Sequence, residues 1–339
     1  MLGRFRSRFS HNQTHNSSRK DFENMNRKSK SFLSLRTLEP VEFRDLLALS
    51  AQVKAEKKRG EFPLRLARKN VALLFEKLST RTRCSFSVAC HDEGAQVDYL
   101  GGNEIHFGKK ESLEDTARVL GRFYDGIVYR GYAQKTVETL AEMSGVPVFN
   151  ALTDEEHPTQ ALADLLTLQE RFGHLAGLRV AYVGDAANNV AYSLMHACAL
   201  VGAHFVCAAP ARFLPAQSEV SFAEQVCRQT GGSVTLEENP LRGVQGADAV
   251  YTDVWVSMGF EGNPDVEERL SALRNYQVNE TLMAATGVAH SAFLHCLPAN
   301  KGLEVSHSVF EGRQSLVFDQ AENRLHTIKA LLIAHMAGV

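Results

Sequence analysis

Val71-Ala72-Leu73-Leu74-Phe75-Glu76-Lys77-Leu78-Ser79-Thr80-Arg81-Thr82-Arg83 changes character halfway along its length. Residues 71–75 form a short unbroken apolar run, the pattern of a strand buried on both faces of a parallel sheet. After Leu78 the spacing of Phe86, Ala89 and Cys90 is helical, and Gly94 stops it. Ser79 to Arg83 therefore fall in the first turn of a helix that follows a strand. Unpaired backbone N–H groups and the positive end of the helix dipole favour an anion there, and the hydroxyls and guanidinium groups add donors. The turn reads as a phosphate site built without a glycine-rich loop. Its plain alternative is an N-cap serine followed by solvated arginines. The neighbouring stretch Gly102 to Lys110 has neither Walker spacing nor a Ser/Thr after its lysines.

The same alternation extends outward. Apolar runs at 71–75, 95–99, 126–129 and 147–150 predict one set of strands, and runs at 178–183, 204–208, 233–236, 249–252 and 292–296 a second. Helical stretches separate them. One covers 112–124, with capping-box spacing at Ser112 and Asp115 and an apolar face of Val119, Leu120 and Phe123. Another opens at Pro158, since proline suits a first turn, and runs to Gln169. A last helix spans about 323–337. The pattern predicts an α/β protein of two domains, each a parallel sheet flanked by helices, joined by interdomain helices. The expected boundaries are 31–165 and 166–319, with residues 320–339 packing back on the first domain.

At 339 residues the chain is long enough for two cores. Its 37 basic and 39 acidic side chains, a formal net charge of -2, offer no bulk attraction for nucleic acid or an anionic membrane. Six cysteines, with no CxxC pair, read as reduced thiols of a cytosol-like compartment. No apolar run is long enough to span a bilayer. Residues 1–30 are rich in Arg, Lys, Ser and Asn, and are expected to be a disordered basic extension. Met25 is the expected true start; the alternative is an organellar transit peptide, which would place the protein in the mitochondrial matrix.

In parallel sheets ligands sit beyond the carboxyl ends of strands. Arg130 follows one strand, and His157-Pro158-Thr159-Gln160 starts the helix after another. Singly these suit a surface charge and a helix cap; together they offer two donors for a carbonyl oxygen that gains charge. In the second domain Val180-Ala181-Tyr182-Val183-Gly184-Asp185 leads to Asn188-Asn189, but one glycine fails the dinucleotide fingerprint. Asp253 follows a strand and suits either an ammonium or an Asx turn. Ser257-Met258-Gly259 comes next, and its glycine permits a tight turn. In Phe293-Leu294-His295-Cys296-Leu297-Pro298 strand alternation turns His295 away from Cys296, which disfavours a cysteine nucleophile. The 13 histidines show no ligand spacing, so no metal is expected.

Ser79-Thr80-Arg81-Thr82-Arg83, His157-Pro158-Thr159-Gln160, Asp253 with Ser257-Met258-Gly259, and His295-Cys296-Leu297-Pro298, in that order, resemble the ornithine carbamoyltransferases. The resemblance covers about 31–337. It implies carbamoyl phosphate and L-ornithine as substrates, no cofactor, and a homotrimer, or a multiple of trimers, with sites at subunit borders. Residue by residue it implies that Ser79, Thr80, Arg81 and Thr82 hold the phosphoryl group. Arg130, His157 and Gln160 would polarise the carbamoyl end, with Cys296, Leu297 and Arg324 completing that site. Asn189, Asp253, Ser257 and Met258 would hold ornithine, making Arg130, His157, Asp253 and Cys296 the catalytic set. Glu104 stands where the family usually has Gln, on a loop implied to reach a neighbouring subunit. A carboxylate there predicts weaker carbamoyl-phosphate binding than a Glu104→Gln variant would show. Two alternatives stay open: a carbamoyltransferase acting on putrescine or a modified ornithine, and a catalytically silent regulatory paralogue.

Overall fold

A computed structural model describes residues 31–102, 111–256 and 264–337. Helix α1 (Pro40–Lys58) precedes the first sheet, which has strands β1 (Asn70–Phe75), β2 (Gln96–Gly101), β3 (Gly126–Arg130) and β4 (Val148–Leu152). Helices α2 (Thr80–Asp92), α3 (Leu113–Phe123) and α4 (Gln134–Ser144) connect them. All pairings are parallel, in the order β2-β1-β3-β4. Helix α5 (Pro158–Phe172) leads to the second sheet, of β5 (Arg179–Val183), β6 (His204–Ala208), β7 (Ser233–Glu237), β8 (Ala249–Tyr251) and β9 (Ala292–Leu294). It too is parallel, in the order β7-β6-β5-β8-β9. Its helices are α6 (Asn189–Val201), α7 (Gln217–Thr230), α8 (Pro240–Gly243), α9 (Val266–Leu273), α10 (Glu280–Ala285) and α11 (His307–Phe310), and α12 (Val317–Met336) ends the described chain.

The strand orders locate the crevices. In each sheet the winding direction reverses once, between β1 and β3 in the first and between β5 and β8 in the second. Connections diverge at such points and leave a cleft beyond the carboxyl ends. Phe75 at the end of β1 is in register with Arg130 at the end of β3, so Arg130 opens onto the turn that starts α2. The α/β expectation of two parallel sheets with flanking helices is met. Helices α5 and α12 join the units. Helix α5 is buried from Pro158 to Leu168 and packs on α12, which also packs on α1 and α2. Among the described residues no helix is long and apolar enough to cross a membrane.

Three local expectations need correction. Ser112 does cap α3, accepting from the Asp115 N–H at 3.1 Å, but the buried face is Ala117 and Leu120. Val119 and Phe123, four residues apart, form an adjacent stripe that is 44% and 69% exposed. The last strand ends at Leu294, not Cys296, because Leu316 and Ser315 pair with Phe293 and the chain then turns away. The final helix begins at Val317, which places Arg324 in its second turn rather than at its start.

Candidate active site

The anion turn forms as its sequence dictates. Ser79 has extended backbone, and its Oγ accepts from the Thr82 N–H at 3.3 Å, so it is an N-cap. The cap leaves room for the expected anion, since it takes one N–H of the first turn and leaves others. Thr80 is exposed, Arg81 is half-buried and Thr82 is fully buried. Arg83 diverges, stacking 3.9 Å over the Tyr99 ring.

Arg324 reaches the turn from α12. Its Nη2 donates to Thr82 Oγ1 at 2.8 Å and its Nη1 to Gln160 Oε1 at 3.0 Å. Arg130 and Arg324 are 6% and 3% exposed, and the Nε of each is buried without a hydrogen-bond partner. Burial pushes both guanidinium groups down to about 10, helped at Arg130 by repulsion from Arg324 and Arg81 and at Arg324 by repulsion from Arg81. Cations desolvated against one another and left with unused donors make a strong anion site.

His157 precedes the proline that opens α5. Its N–H donates to Ser193 Oγ of α6 at 2.8 Å, which ties this strand end to the second unit. Burial, with Arg324 and Arg130 nearby, holds its imidazole well below the usual histidine range. It is therefore a neutral ring at physiological pH, able to donate from one nitrogen. Thr159 Oγ1 lies 3.5 Å from Nδ1, and the tautomer decides which of the two donates.

The second sheet contributes acceptors. Asp253 follows β8, and the Cys296 thiol donates to its Oδ1 at 3.0 Å. Burial raises the Asp253 carboxyl; burial and Asp253 together push the Cys296 thiol well above its ordinary value. Cys296 is thus a protonated donor and not a thiolate. Leu297 takes the left-handed φ of 61°, a strained position for a branched side chain, and its N–H donates to His295 Nδ1 at 2.9 Å. The opposite-face expectation for His295 fails because the strand has already ended. Asp253, His295 and Cys296 bring three possible ligand atoms within 4.8 Å of one another, from segments too far apart for any spacing rule to link. This is a poor metal site, because His295 Nδ1 already accepts from Leu297 and Nε2 lies 3.3 Å from Glu304 Oε1. The imidazole has no lone pair left to give.

Asn189 starts α6 with its amide donating to the Thr153 carbonyl, on the side of the first sheet's last strand. The single glycine of the first β5 turn also has its reason. Gly184 has φ 115°, and a Cβ there would lie 2.8 Å from the indole Nε1 of Trp255. It admits a tryptophan, not a pyrophosphate. Glu104, Ser257 and Met258 lie outside the described residues. Asp164, Gln320 and Glu304 escaped the sequence reading. Asp164 had left a signal, a lone carboxylate in the apolar run Ala161-Leu162-Ala163-Asp164-Leu165-Leu166, one helical turn after Gln160.

Comparison with known proteins matches this arrangement. Residues 30–170 match the carbamoyl-P binding domain of the aspartate/ornithine carbamoyltransferases, and 176–335 their Asp/Orn binding domain. The ornithine carbamoyltransferase of Caldanaerobacter subterraneus subsp. tengcongensis is 52% identical over 309 residues, 91% of this chain and 98% of that protein. That of Thermotoga maritima is 51% identical over 310 residues, again 91% and 98%. The solved ornithine carbamoyltransferase from Pyrococcus furiosus superposes with a TM-score of 0.88 at 42% identity, covering 91% of this chain and 97% of that one. With both halves of the chain matched in order, and the crevice groups contributed by both, this protein belongs to the aspartate/ornithine carbamoyltransferase family.

Proposed function

We infer that the protein is an ornithine carbamoyltransferase, moving the carbamoyl group of carbamoyl phosphate to the δ-amine of L-ornithine and releasing L-citrulline and phosphate. The observation that carries this reading is the meeting of a cationic first-sheet crevice with the hydrogen-bonded Asp253–Cys296 pair of the second sheet. Relatives at 51% and 52% identity bearing that name support it.

In this reading residues 31–165 bind carbamoyl phosphate, with the final helix packed back on them, and 166–319 bind ornithine. Ser79, Thr80, Arg81 and Thr82 hold the phosphoryl oxygens at the head of α2. Arg130 and neutral His157 donate to the carbonyl oxygen, and Gln160, Cys296, Leu297 and Arg324 enclose the carbamoyl end. Asn189, Asp253, Ser257 and Met258 hold the amino-acid end, with Asp253 facing the α-ammonium. The neutral δ-amine attacks the carbamoyl carbon, charge collects on the oxygen against Arg130 and His157, and the C–O bond to phosphate breaks as the phosphate takes the amine proton. Catalysis then comes from positioning and preset electrostatics, with no cofactor and no covalent step. Leu78, 80% exposed at the anion turn, and Tyr132, whose ring lies 4.4 Å from the Lys77 ammonium, leave apolar surface beside the site, which suits a homotrimer with shared sites. Glu104, where the family usually has Gln, weakens carbamoyl-phosphate binding; Glu104→Gln lowers that KM. The protein works in arginine metabolism in the cytoplasm.

Citrulline formation from the two substrates tests the reading directly, and its absence from purified protein would favour a silent paralogue. Putrescine is ornithine without its α-carboxylate, and its turnover at the rate seen with ornithine would mean that the site does not read the amino-acid end of the substrate.

A further inference from the structure

Asp164 is 1% exposed and sits one turn after Gln160 on α5. Its Oδ1 takes two amide donors, Gln160 Nε2 at 2.8 Å and Gln320 Nε2 at 2.6 Å. The far ends of those amides go to opposite halves of the site. Gln160 Oε1 accepts from Arg324, which also holds Thr82 of the anion turn. Gln320 Oε1 accepts from the His295 backbone N–H at 2.9 Å, and the next residue, Cys296, is bonded to Asp253. An unbroken chain of buried hydrogen bonds thus runs from the head of α2 to the turn after β9, with Asp164 at its centre.

The polarity of the chain is fixed from both ends. Arginine only donates, so the Gln160 amide has one satisfactory orientation: oxygen toward Arg324 and the crevice, nitrogen toward Asp164. That oxygen has a second lone pair. A carbamoyl group presents an –NH2 donor to it; an acetyl group of nearly the same shape presents a methyl and leaves the buried acceptor unmet. Sites built to bond a polar group reject the analogue that lacks it far better than apolar pockets discriminate by size.

We propose that Asp164 is a positioning residue that sets the orientation of the Gln160 amide, and so the selection of carbamoyl over acetyl phosphate, while holding the His295–Cys296 turn in register through Gln320. The proposal rests on the carbamoyl-transfer reading above. Asp164 touches no reacting atom in it. The burial that brings Asp164 to these amides also raises its carboxyl to about 7.

The test compares the wild type with Asp164→Leu, which removes the acceptor, and Asp164→Asn, whose amide oxygen can still receive both glutamines. The quantity read is the ratio of the acetyl phosphate inhibition constant to the carbamoyl phosphate KM, with inorganic phosphate inhibition as the control. The ratio is expected to fall about tenfold in Asp164→Leu and to stay within about threefold of wild type in Asp164→Asn, with phosphate inhibition little changed. Gln320→Met is expected to raise the ornithine KM and leave the ratio intact. An unchanged ratio in folded Asp164→Leu overturns the proposal. So does a parallel loss of phosphate inhibition, which would mark a merely structural role. Where Asp164→Leu does not fold, Asp164→Ala takes its place, with the same ratio measured and the same outcomes deciding. Failure of the wild type to form citrulline sinks the functional reading instead, and is seen before any variant is made.

Discussion

The two strand ends that meet at the site are opposites in charge and in completeness. On the first sheet Arg130 and Arg324 are buried with unused donors and pushed down to about 10, and Arg81 adds a third cation. On the second sheet Asp253 already holds the Cys296 thiol, and His295 Nδ1 accepts from the Leu297 N–H. Buried like charges without partners are unstable alone and gain most from a counter-ion. A carboxyl raised by burial but already hydrogen-bonded gains less. In the carbamoyl-transfer reading the first half thus suits a dianion and the second a weaker, later cationic partner, which is a physical reason for carbamoyl phosphate to bind first and ornithine second.

That contrast can be broken most sharply at Arg130. Arg130→Met is expected to cut kcat/KM by about a thousandfold, as removal of an oxyanion donor does, and steady-state citrulline assays read it. A loss below tenfold would mean that the guanidinium does not face the charge that develops. Next comes Asp253→Asn, which should raise the ornithine KM by about a hundredfold while the carbamoyl phosphate KM moves little. Equal changes in both constants would show that the halves do not act separately.

A smaller effect is expected at Cys296. Serine also donates to Asp253, so Cys296→Ser should lower kcat by only several-fold. Complete loss, or a covalent adduct detected by mass spectrometry, would restore the nucleophile that the protonated thiol argues against.

The smallest effect concerns pH. The Asp164 carboxyl is raised from 3.8 to about 7 in the folded chain, so the native state binds the extra proton between those values. Its contribution to stability is full at acid pH and is lost as pH rises through about 7. His157 works in reverse: its folded value lies well below 6.5, so the unfolded chain protonates first and acid destabilises. Urea unfolding from pH 5 to 8 should therefore show the wild type losing ground to Asp164→Asn as pH rises. A constant gap would place the Asp164 carboxyl near its ordinary value.

The sequence read the first half of the site better than the second. Ser79 to Arg83 announce themselves because a strand, a cap and a helix start lie within one short stretch, and local rules apply to all three. Arg130 and His157 follow from strand ends alone. In the second half the alternation rule misled, since it assumed a strand through Cys296 when the ladder stops at Leu294. The face of α3 was misjudged for a related reason: Val119 and Phe123 are apolar, yet the sheet and α4 take Ala117 and Leu120. Apolar character says that a side chain is suited to burial, not which neighbour covers it.

What the sequence determined by itself is the α/β alternation of two parallel sheets, the Ser79-capped head of α2 and the start of α5 at Pro158, because hydrophobic period and helix-end chemistry act over a few residues. Only the tertiary structure decided which donor meets which acceptor. Cys296 finds Asp253 across 43 positions, Gln320 finds Asp164 across 156, and Arg324 finds Thr82 across 242. Those distances are closed by the order of strands in the sheets and by α12 returning against α5, and a hydrogen bond is set by where two atoms lie in space, whatever their separation along the chain.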